Sequence, residues 1–252
     1  MNLENIFNID NIDTPLYRIF PLHRIEEIFA DEELVLVQPK LWDDPFENFF
    51  LQCELEGKNG KKISLEALNR QWYGQCWTTQ RESDAMWRIY SPQKRGIRIM
   101  TSVRKLSEYL WDARDRFSKN KYFIGKVEYE PKNEIEAFLS NTSFREITLG
   151  GQNDGVAKTL LTKREEFRHE QEVRLLACNV DPNDFQHNRT VDESTYHIPV
   201  EPQKLIDEIT IDPRCSDQEF DQMKSQIEAL GYTGELNLSG LYRVTLPTMR
   251  VT

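Results

Sequence analysis

Glu170-Gln171-Glu172-Val173-Arg174-Leu175-Leu176 is the stretch on which the fold turns. Its short apolar run, bounded by charge and ending near Cys178, predicts a buried strand over Val173–Cys178. In a strand, residues two apart project from the same face. As one extended segment, Arg168, Glu170, Glu172 and Arg174 share a side, so two carboxylates point into one space. Like charges placed together cost energy. Either the flanking arginines balance them on a solvated face, or they serve a chemistry that needs negative charge.

That chemistry can be specified. Breaking a glycosidic bond creates oxocarbenium character, which a neighbouring carboxylate stabilises. A second carboxylate can orient or deprotonate the incoming nucleophile. The nicotinamide–ribose bond of NAD is of this kind, and its leaving group departs neutral. Two earlier segments supply complementary groups. In Leu16-Tyr17-Arg18-Ile19, an early strand candidate, the Arg18 guanidinium with Tyr17 beside it suits phosphate or ribose oxygens. In Cys76-Trp77-Thr78-Thr79-Gln80, at a strand end, Thr78 and Thr79 offer hydroxyls to a ribose or to the catalytic Glu. Trp77 and Tyr90 offer flat faces to a nicotinamide or adenine ring.

Outward from these segments, further short apolar runs predict strands at Leu34–Val37, Tyr73–Thr79, Gly96–Met100, Phe123–Tyr129, Tyr196–Val200 and Ile206–Ile211. Helical spacing appears at Leu22, Ile25, Ile28 and Phe29, and at Val103, Leu106, Leu110, Ala113 and Phe117. Ser216 with Glu219 forms a capping box ahead of Phe220, Met223, Ile227 and Leu230, and Gly231 ends that helix. The Gly150-Gly151 loop predicts a helix of about 12 residues from near Val156. Strands and helices mix without regular βαβ alternation. The expected class is therefore α+β, a single domain over 1–252 with a mixed or split β-sheet core and flanking helices, plus a C-terminal strand–helix extension over 201–252.

Composition narrows the class. The chain has 252 residues, 38% hydrophobic and 11% aromatic, enough to bury a core. The net charge of −10 disfavours non-specific contact with long nucleic acid. No run approaches the roughly 18 apolar residues of a membrane helix, and MNLENIFNID lacks a signal peptide's basic and apolar regions. Cys53, Cys76, Cys178 and Cys215 form no Cys-x-x-Cys pair and read as reduced, mostly buried thiols. A cytoplasmic location is the expectation. His23, His169, His187 and His197 have neither metal-ligand nor triad spacing, so no metal site is expected.

Arg18, then Cys76–Gln80, then Glu170–Leu176 resemble, in chain order, the arginine, Ser-Thr-Ser and Glu-x-Glu signature of ADP-ribosyltransferases. The resemblance implies an ADP-ribosyltransferase-like fold with NAD as substrate. It makes Glu172 the catalytic glutamate on the nicotinamide ribose and Glu170 the residue acting on the acceptor. Arg18 would bind NAD, and Thr78 or Thr79 would take the hydroxyl role. The middle motif departs from the family, reading Thr-Thr-Gln. ADP-ribose would pass to nucleic acid, protein or water. A second resemblance covers most of the chain. The LYRIF start, Trp42-Asp43-Asp44-Pro45-Phe46-Glu47, Asp84-Ala85-Met86-Trp87-Arg88-Ile89-Tyr90, Gly96-Ile97 and Glu172-Val173-Arg174 are similar to an uncharacterised bacterial family. That family is associated with phage-defence or toxin loci. Two alternatives stand beside the first reading. One is a nuclease effector in which Asp43, Asp44 and Glu47 converge with Glu172 on a metal ion. The other is a non-catalytic sensor or binding module on the same fold.

Overall fold

Glu172–Cys178 forms a strand buried at all seven positions. Its neighbours explain this: both edges are paired antiparallel, to Trp72–Thr78 on one side and Tyr122–Lys126 on the other. The computed structural model describes residues 3–44, 46–57, 59–111, 118–148, 154–179, 194–244, 246 and 248. In chain order its strands are β1 (Ile6–Phe7), β2 (Pro15–Pro21), β3 (Glu33–Val37), β4 (Glu54–Glu56), β5 (Lys62–Ser64), β6 (Trp72–Thr78) and β7 (Gly96–Ser102). There follow β8 (Tyr122–Lys126), β9 (Glu128–Glu130), β10 (Thr162–Arg164), β11 (Glu172–Cys178), β12 (Thr195–Pro199), β13 (Glu208–Ile211) and β14 (Glu235–Leu238).

Ten strands make one mixed sheet in the order β1-β8-β11-β6-β2-β7-β13-β14, and β3 joins β12 to the middle of β6. Parallel pairing occurs at β1–β8 and β13–β14, antiparallel pairing at the other junctions. β2 meets β6 at one rung, Tyr17 opposite Thr78. Along the rest of its length β2 pairs with β7, while β6 pairs with β11 and, at Gly74, with β3. The sheet is therefore split between β2 and β6.

Alternation along β6 and β11 sorts their side chains onto two faces. Val173, Leu175, Ala177, Tyr73 and Trp77 join Ile25, Leu106, Met223 and Ile227 in one core. Trp72, Leu176 and Cys178 join Phe50, Phe123, Ile147 and Leu160 in the other. Each fully buried aliphatic side chain contributes about 1.5–3 kcal/mol of transfer free energy. The helices cover these faces. His23–Asp31 buries Ile25 and Ile28, and Val103–Leu110 buries Val103, Leu106 and Leu110. Asp217–Ala229 buries Met223 and Ile227, starts at the Ser216–Glu219 capping box, and precedes Gly231 at φ 87°.

Two sequence-based expectations change. The strand expected over Phe123–Tyr129 breaks into β8 and β9 at Val127, whose N–H bonds the Glu172 carbonyl. The helix expected from Val156 spans only Asp154–Thr159, because Leu160 and Leu161 turn into the core and β10 follows. Of the helical stripe beginning at Val103, Ala113 and Phe117 lie outside the described residues, as do Gly150-Gly151 and His187. The 201–252 segment adds β13 and β14 to the main sheet through pairing with β7. Among the described residues, no helix is long and apolar enough to cross a membrane.

Candidate active site at the sheet split

A pocket of about 230 Å³ opens where β2 and β6 part, lined by Tyr17–Pro21, Cys76–Thr78, Met86, Tyr90 and Glu172. Six of the residues singled out from sequence thus border one cavity: Tyr17, Arg18, Trp77, Thr78, Tyr90 and Glu172. The pairing scheme accounts for the meeting. The Tyr17–Thr78 rung joins β2 to β6, and Glu172 lies opposite Thr78 on the next strand.

The Arg18 side chain makes no hydrogen bond or ion pair among the described residues, and its guanidinium lies 5.8 Å from the Phe20 ring. Burial pushes its pKa below the ordinary arginine value. An unpaired, partly desolvated cation in a cavity suits an anionic ligand. Tyr90 reaches the pocket from the end of helix Asp84–Tyr90. Ser83 caps this helix at the start, and Arg214 binds the Trp87 and Ser91 carbonyls at 2.8 and 2.5 Å. Asp212 anchors the same corner through Ser91 at 2.6 Å. Arg214 gave no signal in the sequence because, besides Asp212 two residues away, its partners are backbone carbonyls more than 120 residues away.

Behind the pocket wall lies a buried ionic cluster of Glu47, Lys163, Glu170, Glu172 and Arg174. The Lys163 ammonium bonds Glu170, sits 2.6 Å from Glu47 and lies 3.6 Å from Glu172 Oε1. Arg174, with 0% exposure, gives two N–H groups to Glu172 Oε2 at 3.0 and 2.7 Å and one to the Leu160 carbonyl at 2.7 Å. It also lies 3.3 Å from Glu47 and 4.5 Å from the Trp42 ring. Three carboxylates and two cations give a formal charge of −1.

These surroundings push the carboxylates apart. Burial raises the Glu172 carboxyl, but Arg174 and Lys163 outweigh it and hold the group below the ordinary glutamate value. For Glu47 burial wins over Arg174 and Lys163, and the charge of Glu172 adds to it, so its pKa rises. Burial also pushes the Cys76 thiol up, with Glu172 adding to the shift. Tyr129, whose hydroxyl accepts the Glu172 N–H at 2.8 Å, is pushed up to about 12 chiefly by burial.

Several site expectations are corrected by this geometry. Glu170 is not part of a strand. It ends a 3₁₀ turn, Glu165–Glu170, and Gln171 follows in the left-handed region at φ 45°. Glu170 therefore lies against Lys163 and does not line the pocket. Arg168 and His169 are exposed on that turn, so the four-residue face read from alternation does not form. The Thr78 hydroxyl donates to the Glu170 carbonyl at 2.6 Å and accepts the Gln80 N–H at 3.0 Å, pinning the turn to β6. Thr79 bonds Gln171 and is absent from the pocket lining. Trp77 borders the pocket but is buried in the core with Tyr73 and Val173, and its indole N–H donates to Gln75 at 2.8 Å. The carboxylates required by a metal nuclease do not assemble. Asp43 is exposed, Asp44 pairs with Arg164 at 2.8 Å, and Glu47 closes on Lys163 and Arg174. Among the described residues no His, Cys, Asp or Glu group is arranged to hold a metal ion.

Over residues 86–175 the sequence matches a family model described as a protein of unknown function, DUF2971. No curated protein matches the sequence. The fold is similar to Thermus sp. 2.9 DarT in complex with NAD+, with a TM-score of 0.40 and 11% identity over 91% of this chain and 96% of that chain. A DarT structure in complex with ADP-ribosylated ssDNA gives a TM-score of 0.40 and 10% identity over 90% of this chain and 94% of that chain. One in complex with carba-NAD+ gives 0.39 and 10% over 90% and 96%.

Proposed function

We propose that this chain is an NAD-using enzyme of ADP-ribosyltransferase type. In this reading it cleaves the nicotinamide–ribose bond and passes ADP-ribose to nucleic acid, protein or water. The observation that supports it is the convergence of an unpaired Arg18 and a low-pKa Glu172 on one cavity at the sheet split. The cavity is below the ~300–1,000 Å³ of whole small-molecule sites, so it would take the nicotinamide riboside end and leave the rest of the dinucleotide at its mouth. Arg18 would fork onto the phosphates. Tyr90 would lie against the nicotinamide ring.

Glu172, kept ionised by Arg174 and Lys163, would accept a ribose hydroxyl and stabilise positive charge at the anomeric carbon. The carbon–nitrogen electron pair leaves with nicotinamide, which becomes neutral. The acceptor then bonds to the anomeric carbon and releases its proton to solvent. The biological setting that the sequence resemblance suggests is a bacterial defence or toxin effector.

The test is to incubate the purified chain with NAD and measure free nicotinamide. Release by the wild type, abolished in a folded Glu172→Gln variant, is the expected result. Normal release by that variant would refute the role of Glu172. NAD binding with no release would favour a binding module, a reading to which the internally satisfied Thr78 hydroxyl lends weight.

A further inference from the structure

Buried ion pairs are poor sources of stability, and well-packed apolar residues often serve as well or better. Five charged side chains at one pocket wall, each at most 6% exposed, therefore call for a reason beyond folding. The geometry suggests one. Glu172 belongs to both the cluster and the pocket lining, whereas Glu47, Lys163, Glu170 and Arg174 belong to the cluster alone.

Arg174 and Lys163 act on different parts of Glu172. The planar guanidinium occupies Oε2 with two N–H groups. The compact ammonium approaches Oε1 at 3.6 Å, beyond a direct hydrogen bond, because Glu47 and Glu170 hold it back. Oε1 thus feels a positive field while keeping capacity to accept a bond from a ligand. A lysine, a compact point charge with three donors, suits a position among three carboxylates.

We infer that Lys163 is a positioning residue for Glu172, and that Glu47 tunes it by competing for the ammonium and for Arg174. This inference rests on the proposed NAD-cleaving role of the pocket. The titratable and charged groups around Glu172 are Arg174 on its own strand, Lys163 from β10, Cys76 from β6, Glu47 from the segment before Phe50, Glu170 from the 3₁₀ turn and Tyr129 from β9. Tyr90 adds a further neighbour from helix Asp84–Tyr90.

The two residues act on Glu172 with opposite signs. Removing the ammonium in Lys163→Met raises the pH at which Glu172 protonates. Removing a competing carboxylate in Glu47→Gln lowers it, because both cations then serve Glu172 more fully. The experiment is carboxyl ¹³C NMR of the full chain with labelled glutamate, with the Glu172 signal assigned by its loss in Glu172→Gln. Opposite displacements of the Glu172 midpoint in the two variants are expected. A midpoint unmoved, or moved the same way by both, would overturn the inference. If Lys163→Met does not fold, the downward shift in Glu47→Gln decides alone. This readout needs no turnover, so failure of wild-type nicotinamide release would count against the NAD reading and leave the role of Lys163 judged by its own result. Where release does occur, Lys163→Met lowers it by about 100-fold at neutral pH, the order expected for a misplaced reacting group, and moves the acid limb of the rate profile to higher pH.

Discussion

Arg18→Ala removes a guanidinium that sits in the pocket without a hydrogen-bonding or ion-pair partner among the described residues. Its effects on binding and on stability should therefore part company. A charge-assisted bond to a phosphate contributes about 1.5–3 kcal/mol, so NAD should bind about 10- to 150-fold more weakly. On the folding side, the contact with Phe20 at 5.8 Å is the interaction lost, and such cation–π contacts contribute about 0.5–1 kcal/mol. Relief of the desolvated charge, which already depresses the Arg18 pKa, acts in the opposite direction. The two oppose each other, and the melting temperature should stay within about 2–4 °C of wild type. Isothermal titration with a non-cleavable NAD analogue, alongside scanning calorimetry, measures both. An unchanged Kd in a folded Arg18→Ala variant would refute the assignment of Arg18 as the anion anchor. A large fall in melting temperature would show that the residue serves the fold.

Gly74→Ala places a Cβ 2.5 Å from Trp42 Cζ2 and 3.1 Å from Leu176 Cδ2, so the indole must leave its position on Arg174. The expected cost is about 1–3 kcal/mol, seen as a lower melting temperature; an unaltered one would contradict the packing described. Acid unfolding should reflect Glu172 and Glu208, whose folded-state pKa values lie below the ordinary glutamate value despite burial. Their contribution is full above that ordinary value and is lost as pH falls through the lowered ones. Glu47, with a raised pKa, works in the reverse direction. Glu47→Gln should therefore steepen the loss of stability on acidification, which urea titrations at several pH values would detect.

Legibility in the sequence followed the range of the interactions. The strand at Val173–Cys178 could be read because its apolar run is local, and the Ser216–Glu219 cap because its two partners are three residues apart. Arg18, Thr78 and Glu172 could be nominated, but only the single Tyr17–Thr78 rung explains why they meet. Alternation puts Glu170 on one side with Glu172 because it assumes extended backbone, and a left-handed Gln171 breaks that assumption. The same alternation, applied to Cys76-Trp77-Thr78, separates Trp77 from Thr78, and the structure follows it. Lys163 was missed altogether. It lies on a three-residue strand with no periodicity, and one of its carboxylates, Glu47, comes from 116 residues earlier in the chain. The nearby Asp-Asp-Pro-Phe-Glu box reads as a metal site, because the sequence does not reveal that its cations are side chains.

A crystal structure of the protein grown with a non-cleavable NAD analogue tests the central claim most directly. The ligand's nicotinamide ribose should lie within hydrogen-bonding distance of the Glu172 carboxylate, with a phosphate on Arg18, inside the opening between β2 and β6. A dinucleotide bound elsewhere, or a pocket left empty at saturating ligand, would contradict the account.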